Sequence, residues 1–366
     1  MADHTLAMRK ALGPLIPASL SPSPSVSQPP SALSHFLKDL RPLLDDPQVT
    51  ELCINRPFEV FVEGGQGWRR LDLPCASLEW CEHLARLIAS FSGQALNAER
   101  PLLSAGLPTG ERVQIAMPPA TLPGTVSLTI RRPNDRVWSL PELAERGLFD
   151  AAAPAVATPR SADALLLQHY ERREYEAFLR LAVRARQNII VSGPTGCGKT
   201  TFTKGLLLEI PADERLITIE DAPELKLDQH PNAVRLFYSK DGQGTARVTP
   251  KQLLESCLRM RPDRILLAEL RSDEAYYYLR NVNSGHPGSI TSVHAGSSRL
   301  AFEQLMLLVK ESPGGRDLAR EDIHQLLTLL IDVVVQLDVE RTPGGAPYRY
   351  LKEVYYAKAA RGGATA

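Results

Sequence analysis

The nine residues Gly193-Pro194-Thr195-Gly196-Cys197-Gly198-Lys199-Thr200-Thr201 stand between an apolar run, Asn188-Ile189-Ile190-Val191, and a stretch suited to a helix from Phe202 to Leu208. They satisfy G-x-x-x-x-G-K-[ST] at every required place. In such a loop the glycines let backbone N–H groups turn towards phosphate oxygens, and the following helix presents its positive end. Lys199 would neutralise the β- and γ-phosphates, and Thr200 would ligate Mg²⁺. A turn with a purely structural job needs neither the lysine nor the hydroxyl beside it, so the loop is read as a nucleotide site. Cys197 admits two readings: a thiol made acidic by the helix end and Lys199, or a small residue that fills space.

Carboxylates decide what happens to a bound nucleotide. The run Leu216-Ile217-Thr218-Ile219 leads into Glu220-Asp221, and Ile265-Leu266-Leu267-Ala268 leads into Glu269. Any one acid at a strand end is ordinary solvated charge. Two of them at the carboxyl edge of a parallel sheet face the ligand crevice, where one can hold Mg²⁺ through water and the other can orient an attacking water. His286 and His294 follow in a polar segment, read as loop, with no third metal ligand at usable spacing, which argues against zinc.

These groups need a scaffold to position them. From about Glu171 onwards apolar strands alternate with amphipathic helices, the pattern of a largely parallel sheet covered by helices. Thr249-Pro250-Lys251-Gln252 has the grammar of a helix start, with a capping Thr, Pro at the first helical position and Gln at the third. Before this unit, short strands around Glu51 to Ile54, Glu59 to Val62, Arg112 to Met117 and Val126 to Arg131 surround a helix. Leu78, Cys81, Leu84, Ala85, Ile88 and Phe91 share one face of it, which predicts a small α+β unit. The expected division is a Pro/Ser-rich arm over 1–32, an α+β domain over 33–138, a linker over 139–170, an ATPase domain over 171–358 and a tail over 359–366. The linker rests on AAAPAVATPRSADA at 151–164, which has no periodicity.

Composition narrows the class. The 366 residues carry 42 Lys plus Arg against 42 Asp plus Glu, so no global basic field recruits nucleic acid or an anionic bilayer, and no dedicated nucleic-acid site is evident. Five cysteines form no Cys-x-x-Cys pair, which fits a reducing cytoplasm. No apolar stretch reaches membrane-spanning length, and charges and prolines interrupt the apolar residues of the amino terminus, so a soluble protein is expected.

In order, GPTGCGKTT, ITIEDAPEL and RMRPDRILLAELRSDEAYYYLRNVNSGHPGSITSVHAGS resemble the secretion or traffic ATPases, specifically the VirB-type ATPase of type IV secretion and conjugation machines. The resemblance spans roughly residues 33 to 358 and is weakest before residue 100. It implies an α/β chain with a RecA-like P-loop NTPase domain and a smaller α+β N-terminal domain, hydrolysing ATP with Mg²⁺. It further implies Glu220 as base or water-positioner, Glu269 near Mg²⁺ and His294 as γ-phosphate sensor. Arg112 and Arg131 of the N-terminal domain are the implied phosphate contacts, with Arg132 as the alternative to Arg131. Arg261 and Arg271 flank the second acidic strand and admit two readings, contact with phosphate or a neighbouring subunit, or a structural ion pair with Asp263 or Asp273; they are left out of the catalytic set. The implied assembly is a homo-hexamer at the cytoplasmic face of the inner membrane, with other secretion ATPases and inner-membrane components as partners. Three competitors are a type II secretion or type IV pilus motor, a small-molecule P-loop kinase and a nucleic-acid translocase.

Overall fold

The computed structural model describes residues 32–133, 137–152, 162–239, 243–341 and 345–362. All but the last residue of the expected amino-terminal arm, most of the low-complexity stretch at 151–164 and the last four residues lie outside them.

Strands β1 (Glu51–Ile54), β2 (Glu59–Gly64), β3 (Gly67–Asp72), β4 (Leu102–Gly106), β5 (Arg112–Ala116) and β6 (Ser127–Arg131) form one sheet in the order β3-β2-β1-β6-β5-β4. Each adjacent pair is antiparallel. The helix Leu78–Phe91 covers one face. Ser77 caps it by accepting from the Trp80 N–H, and Cys81, Leu84, Ala85 and Ile88 recur at helical spacing on its buried side. Those side chains join Leu52, Ile54, Val60, Val62, Ile115, Leu128 and Ile130 in the core of this unit. Phe91, expected on the same face, is 54 % exposed at the last residue of the helix, although Ile88 and Ala89 of the same turn are buried.

The second unit is built on β7 (Ile189–Ser192), β8 (Leu216–Glu220), β9 (Ala233–Phe237), β10 (Arg264–Leu267), β11 (Ile290–Val293), β12 (Val333–Glu340) and β13 (Tyr348–Tyr356). There are two parallel ladders, β10-β8-β9 and β11-β7-β12, and antiparallel β13 extends the second by pairing with β12. Serine hydroxyls join the ladders: Ser289 Oγ donates to the Ile265 carbonyl and Ser292 Oγ to the Ala268 carbonyl, each at 2.9 Å. The Leu270 N–H completes the seam on Ser292 O at 2.9 Å. These bonds place β10 beside β11, so the carboxyl ends of β7, β8, β10 and β11 share one edge.

Two expectations change at the element level. The histidine segment is not all loop: Ile290–Val293 is a buried strand parallel to β7, and its Ser292 hydroxyl is satisfied by the seam. Helices also stand within the stretch expected to link the units. The helix Leu140–Glu145 buries none of its residues, whereas Asp163–Glu171 packs on the second unit through Leu166 and the Tyr170 hydroxyl, which donates to the Val354 carbonyl at 3.0 Å. Lys358 pairs with Asp163 from the other end of the chain. The helix start at Thr249 carries the expected reciprocal bonds between Thr249 and Gln252.

The two units share a buried polar seam. Arg215, fully buried, donates to the Met260 carbonyl, to Asn55 Oδ1, to Asn232 Oδ1 and to Thr129 Oγ1. Asn55 and Thr129 belong to the first unit. Backbone bonds Phe237 N to Ala120 O and Arg247 N to Glu99 O, both 2.9 Å, run alongside.

Candidate nucleotide site

A cleft of about 830 Å³ opens at the shared strand edge. Its floor is the loop between β7 and the helix Lys199–Leu207, and Gly193 shows why that loop needs its first glycine. A Cβ there would meet Cys197 Sγ at 2.5 Å and the Leu337 carbonyl oxygen at 2.7 Å. Gly198 caps the helix in the left-handed conformation, φ 95°. Cys197 is buried beneath Gly193, so its packing is the space-filling arrangement.

Thr195, Gly196, Cys197, Gly198, Lys199, Thr200 and Thr201 all line the cleft. Gly193 and Pro194 stand just behind it, their carbonyls accepting from Lys199 Nζ at 2.9 and 3.3 Å. Lys199 also donates to His294 Nδ1 at 3.2 Å. The other ring nitrogen, Nε2, lies 2.7 Å from Glu269 Oε1, an oxygen that no well-aligned hydrogen bond satisfies. Burial lowers the Lys199 pKa; Cys197 and Glu269 oppose the shift and Arg271 adds to it. Lys199, His294 and Glu269 thus form a chain across the ends of β7, β11 and β10.

Glu220 departs from its expected place. It is fully buried and does not line the cleft. Arg235 grips it with two nitrogens at 2.9 Å, Thr218 Oγ1 donates to it at 2.7 Å, and the N–H groups of Glu224 and Leu225 donate at 3.0 and 2.9 Å. Its lone pairs are spent on holding the loop after β8. Asp221 and Glu224 face the cleft instead, and Thr200 Oγ1 donates to Glu224 Oε2 at 3.2 Å.

Arg112 and Arg131 also lie elsewhere. Within the chain they line a second cleft of about 920 Å³ with Glu51, Arg259, Arg261 and His286. Arg132 donates to the Asp46 carbonyl at 2.6 Å and is not in that cleft. They sit at facing positions on β5 and β6, Arg112 opposite Arg131, which explains their convergence and leaves them outside the P-loop cleft.

Two arginines enter the P-loop cleft, one that the sequence reading named and one that it missed. Arg271 bonds Glu269 and Asp221, not Asp273, and lines the cleft. Arg349, on β13, donates to the Gly196 carbonyl at 2.9 Å. Arg261 keeps a structural pairing, with Glu63 and with Asp263 at 3.6 Å.

The donor set suits a metal-bound nucleotide. Thr200 supplies a hydroxyl, Glu269 has a buried oxygen without a hydrogen-bond donor, and the glycine cradle excludes side chains where phosphate oxygens would approach.

Comparison with known proteins agrees with this site. Residues 82–339 match the model of a family described as Type II/IV secretion system protein. The type IV secretion system protein VirB11 of Bartonella henselae is 49 % identical over 311 residues, covering 82 % of this chain and 87 % of that protein. VirB11 of Brucella suis is 46 % identical over 328 residues, covering 89 % and 90 %. The crystal structure of the VirB11 ATPase from the Brucella suis type IV secretion system, in complex with sulphate, superposes with a TM-score of 0.83 at 46 % identity, covering 90 % of this chain and all of that one.

Proposed function

We propose a mechanism from one premise: the chain belongs to the type II/IV secretion system protein family and is a VirB-type traffic ATPase that hydrolyses ATP. Lys199 exchanges its bonds to the Gly193 and Pro194 carbonyls for β- and γ-phosphate oxygens, where its charge opposes the charge that develops in the transition state. Thr200 and Glu269 would hold Mg²⁺, which when bound neutralises the phosphate oxygens and aligns them for in-line attack. His294, between Lys199 and Glu269, senses the terminal phosphate because any ligand that draws Lys199 away also releases the His294 ring. Glu220 serves by position: with Arg235 it stiffens the loop that presents Asp221 and Glu224, and the water-orienting task passes to the cleft acids.

The working form is a homo-hexamer of a type IV secretion or conjugation apparatus, assembled with other secretion ATPases and inner-membrane components at the cytoplasmic face of the membrane. No helix among the described residues is long and apolar enough to cross a membrane, so contact would run through partners or one surface. Arg112 and Arg131 reach a phosphate through motion of their sheet or from a neighbouring subunit.

One observation carries the reading: Lys199, Thr200, Glu269 and His294 meet in one cleft from the ends of three parallel strands. The test is release of inorganic phosphate from ATP with no acceptor added. Lys199→Ala should lower turnover by at least about 10²-fold, the scale for losing one transition-state charge contact. Undiminished turnover would contradict the assignment.

A further inference from the structure

Arg271 and a divalent cation in the cleft would draw on the negative charge of the same two carboxylates, Glu269 and Asp221. Its Nε donates to Glu269 Oε2 at 2.7 Å, and a second guanidinium nitrogen closes on that oxygen. Its Nη1 reaches Asp221 Oδ2 at 2.6 Å. One side chain thus ties together the acids that follow β10 and β8, and both acids line the P-loop cleft. The hydrogen bond to Glu269 is the main reason the Arg271 pKa is raised.

The backbone that carries this side chain is pinned, whereas its head group is held only by the two acids and reaches solvent. The N–H groups of Arg271 and Ser272 both donate to Oε1 of Glu274, a buried carboxylate at the start of the helix Glu274–Asn283. The Arg271 side chain itself is 41 % exposed. Arg264, at the opposite end of β10, has no such freedom: it is fully buried between Glu214 and the carbonyls of Val183 and Gly288.

We propose that Arg271 competes with the divalent cation for Glu269 and Asp221, so that metal binding releases the guanidinium towards the phosphate chain. This rests on the nucleotide-site reading above. A guanidinium and a doubly charged ion cannot both take the full charge of the same two carboxylates, and the exposed head group can leave without moving the backbone. Arg271 is then a positioning residue: it holds the acids in register and couples metal loading to the arrival of a positive charge at the phosphates.

The test uses the full chain without nucleotide, titrated with Mn²⁺ while the free ion is followed by its electron paramagnetic resonance signal. Arg271→Gln should bind Mn²⁺ about fivefold more tightly than the parent protein, the scale of one partly exposed ion pair. Arg271→Lys, which keeps the charge but loses the two-pronged grip, should fall between them. Adding Glu269→Gln to Arg271→Gln should abolish the gain. Unchanged or weaker Mn²⁺ binding in Arg271→Gln, or a gain that survives Glu269→Gln, overturns the proposal. The nucleotide site is tested separately with a fluorescent ATP analogue on the parent protein and Lys199→Ala. Equal binding by the two would sink that site whatever the manganese result, and loss in Lys199→Ala supports it.

Discussion

At the scale of single residues, Glu51 is the clearest case of a group held out of its ordinary range. It is buried on β1 with Oε2 unpartnered, and Arg131 Nε stands 3.5 Å from Oε1. Desolvation pushes its pKa up from 4.5 to about 7 against the pull of Arg131, with Glu63 adding to the rise. Because the folded value lies above the unfolded one, the folded protein binds more protons between these limits. Stability from this group is therefore greatest below pH 4.5 and is lost as pH rises to about 7. The full cost is on the order of 3 kcal/mol. Glu51→Gln should accordingly gain stability over the parent protein at pH 8 and little at pH 4.5, measured by urea unfolding across pH; a gain that does not vary with pH would refute the assignment. The P-loop and Glu269 were legible in the sequence as local patterns of types at strand ends, whereas His294 stood out only through the family resemblance, its strand being too short and polar to read. Arg271 was named but left out of the site, since a cation beside acids reads as surface pairing. Glu220 was misplaced because its captor, Arg235, lies on β9, and nothing near Glu220 in the chain announces it.

At the scale of elements, the amphipathic helices and apolar strands were readable, while short polar strands and long-range pairings were not. β11 is four residues long with Thr and Ser at its centre, and it is a strand because β7 and the serine seam complete it. Arg349 enters the nucleotide cleft only because β13 folds back on β12, a pairing no local pattern specifies. The Arg215 seam belongs to the same class. A buried guanidinium satisfied by carbonyl, amide and hydroxyl oxygens from both units fixes how the N-terminal sheet sits on the ATPase unit. Arg215→Met would leave those acceptors without their donor, at a cost on the order of 3 kcal/mol. The expected signature is loss of coupling: denaturant unfolding of Arg215→Met should split into two transitions, reported separately by each unit. A single transition at an unchanged midpoint would show that the seam does not hold the units together.

At the scale of the whole molecule, the separation of two clefts determines how closure can work. Lys199 and Thr200 line one, Arg112 and Arg131 the other. The Arg215 seam and the backbone bonds beside it resist sliding the first unit far enough to carry those arginines across within one chain. A ring offers another route, since a head-to-tail interface sets one face of a subunit against a different face of its neighbour. An arginine supplied that way would make hydrolysis at one site depend on the position of the next subunit, coupling chemistry to movement. Mixing two inactive proteins tests this. One carries Arg112→Ala with Arg131→Ala and keeps its P-loop; the other carries Lys199→Ala and keeps its arginines. If the arginines act across an interface, equal mixing should restore about a quarter of the parental phosphate release, because that share of random interfaces joins an intact P-loop to intact arginines. If they act within their own chain, every subunit lacks one component and the mixture stays as inactive as its parts.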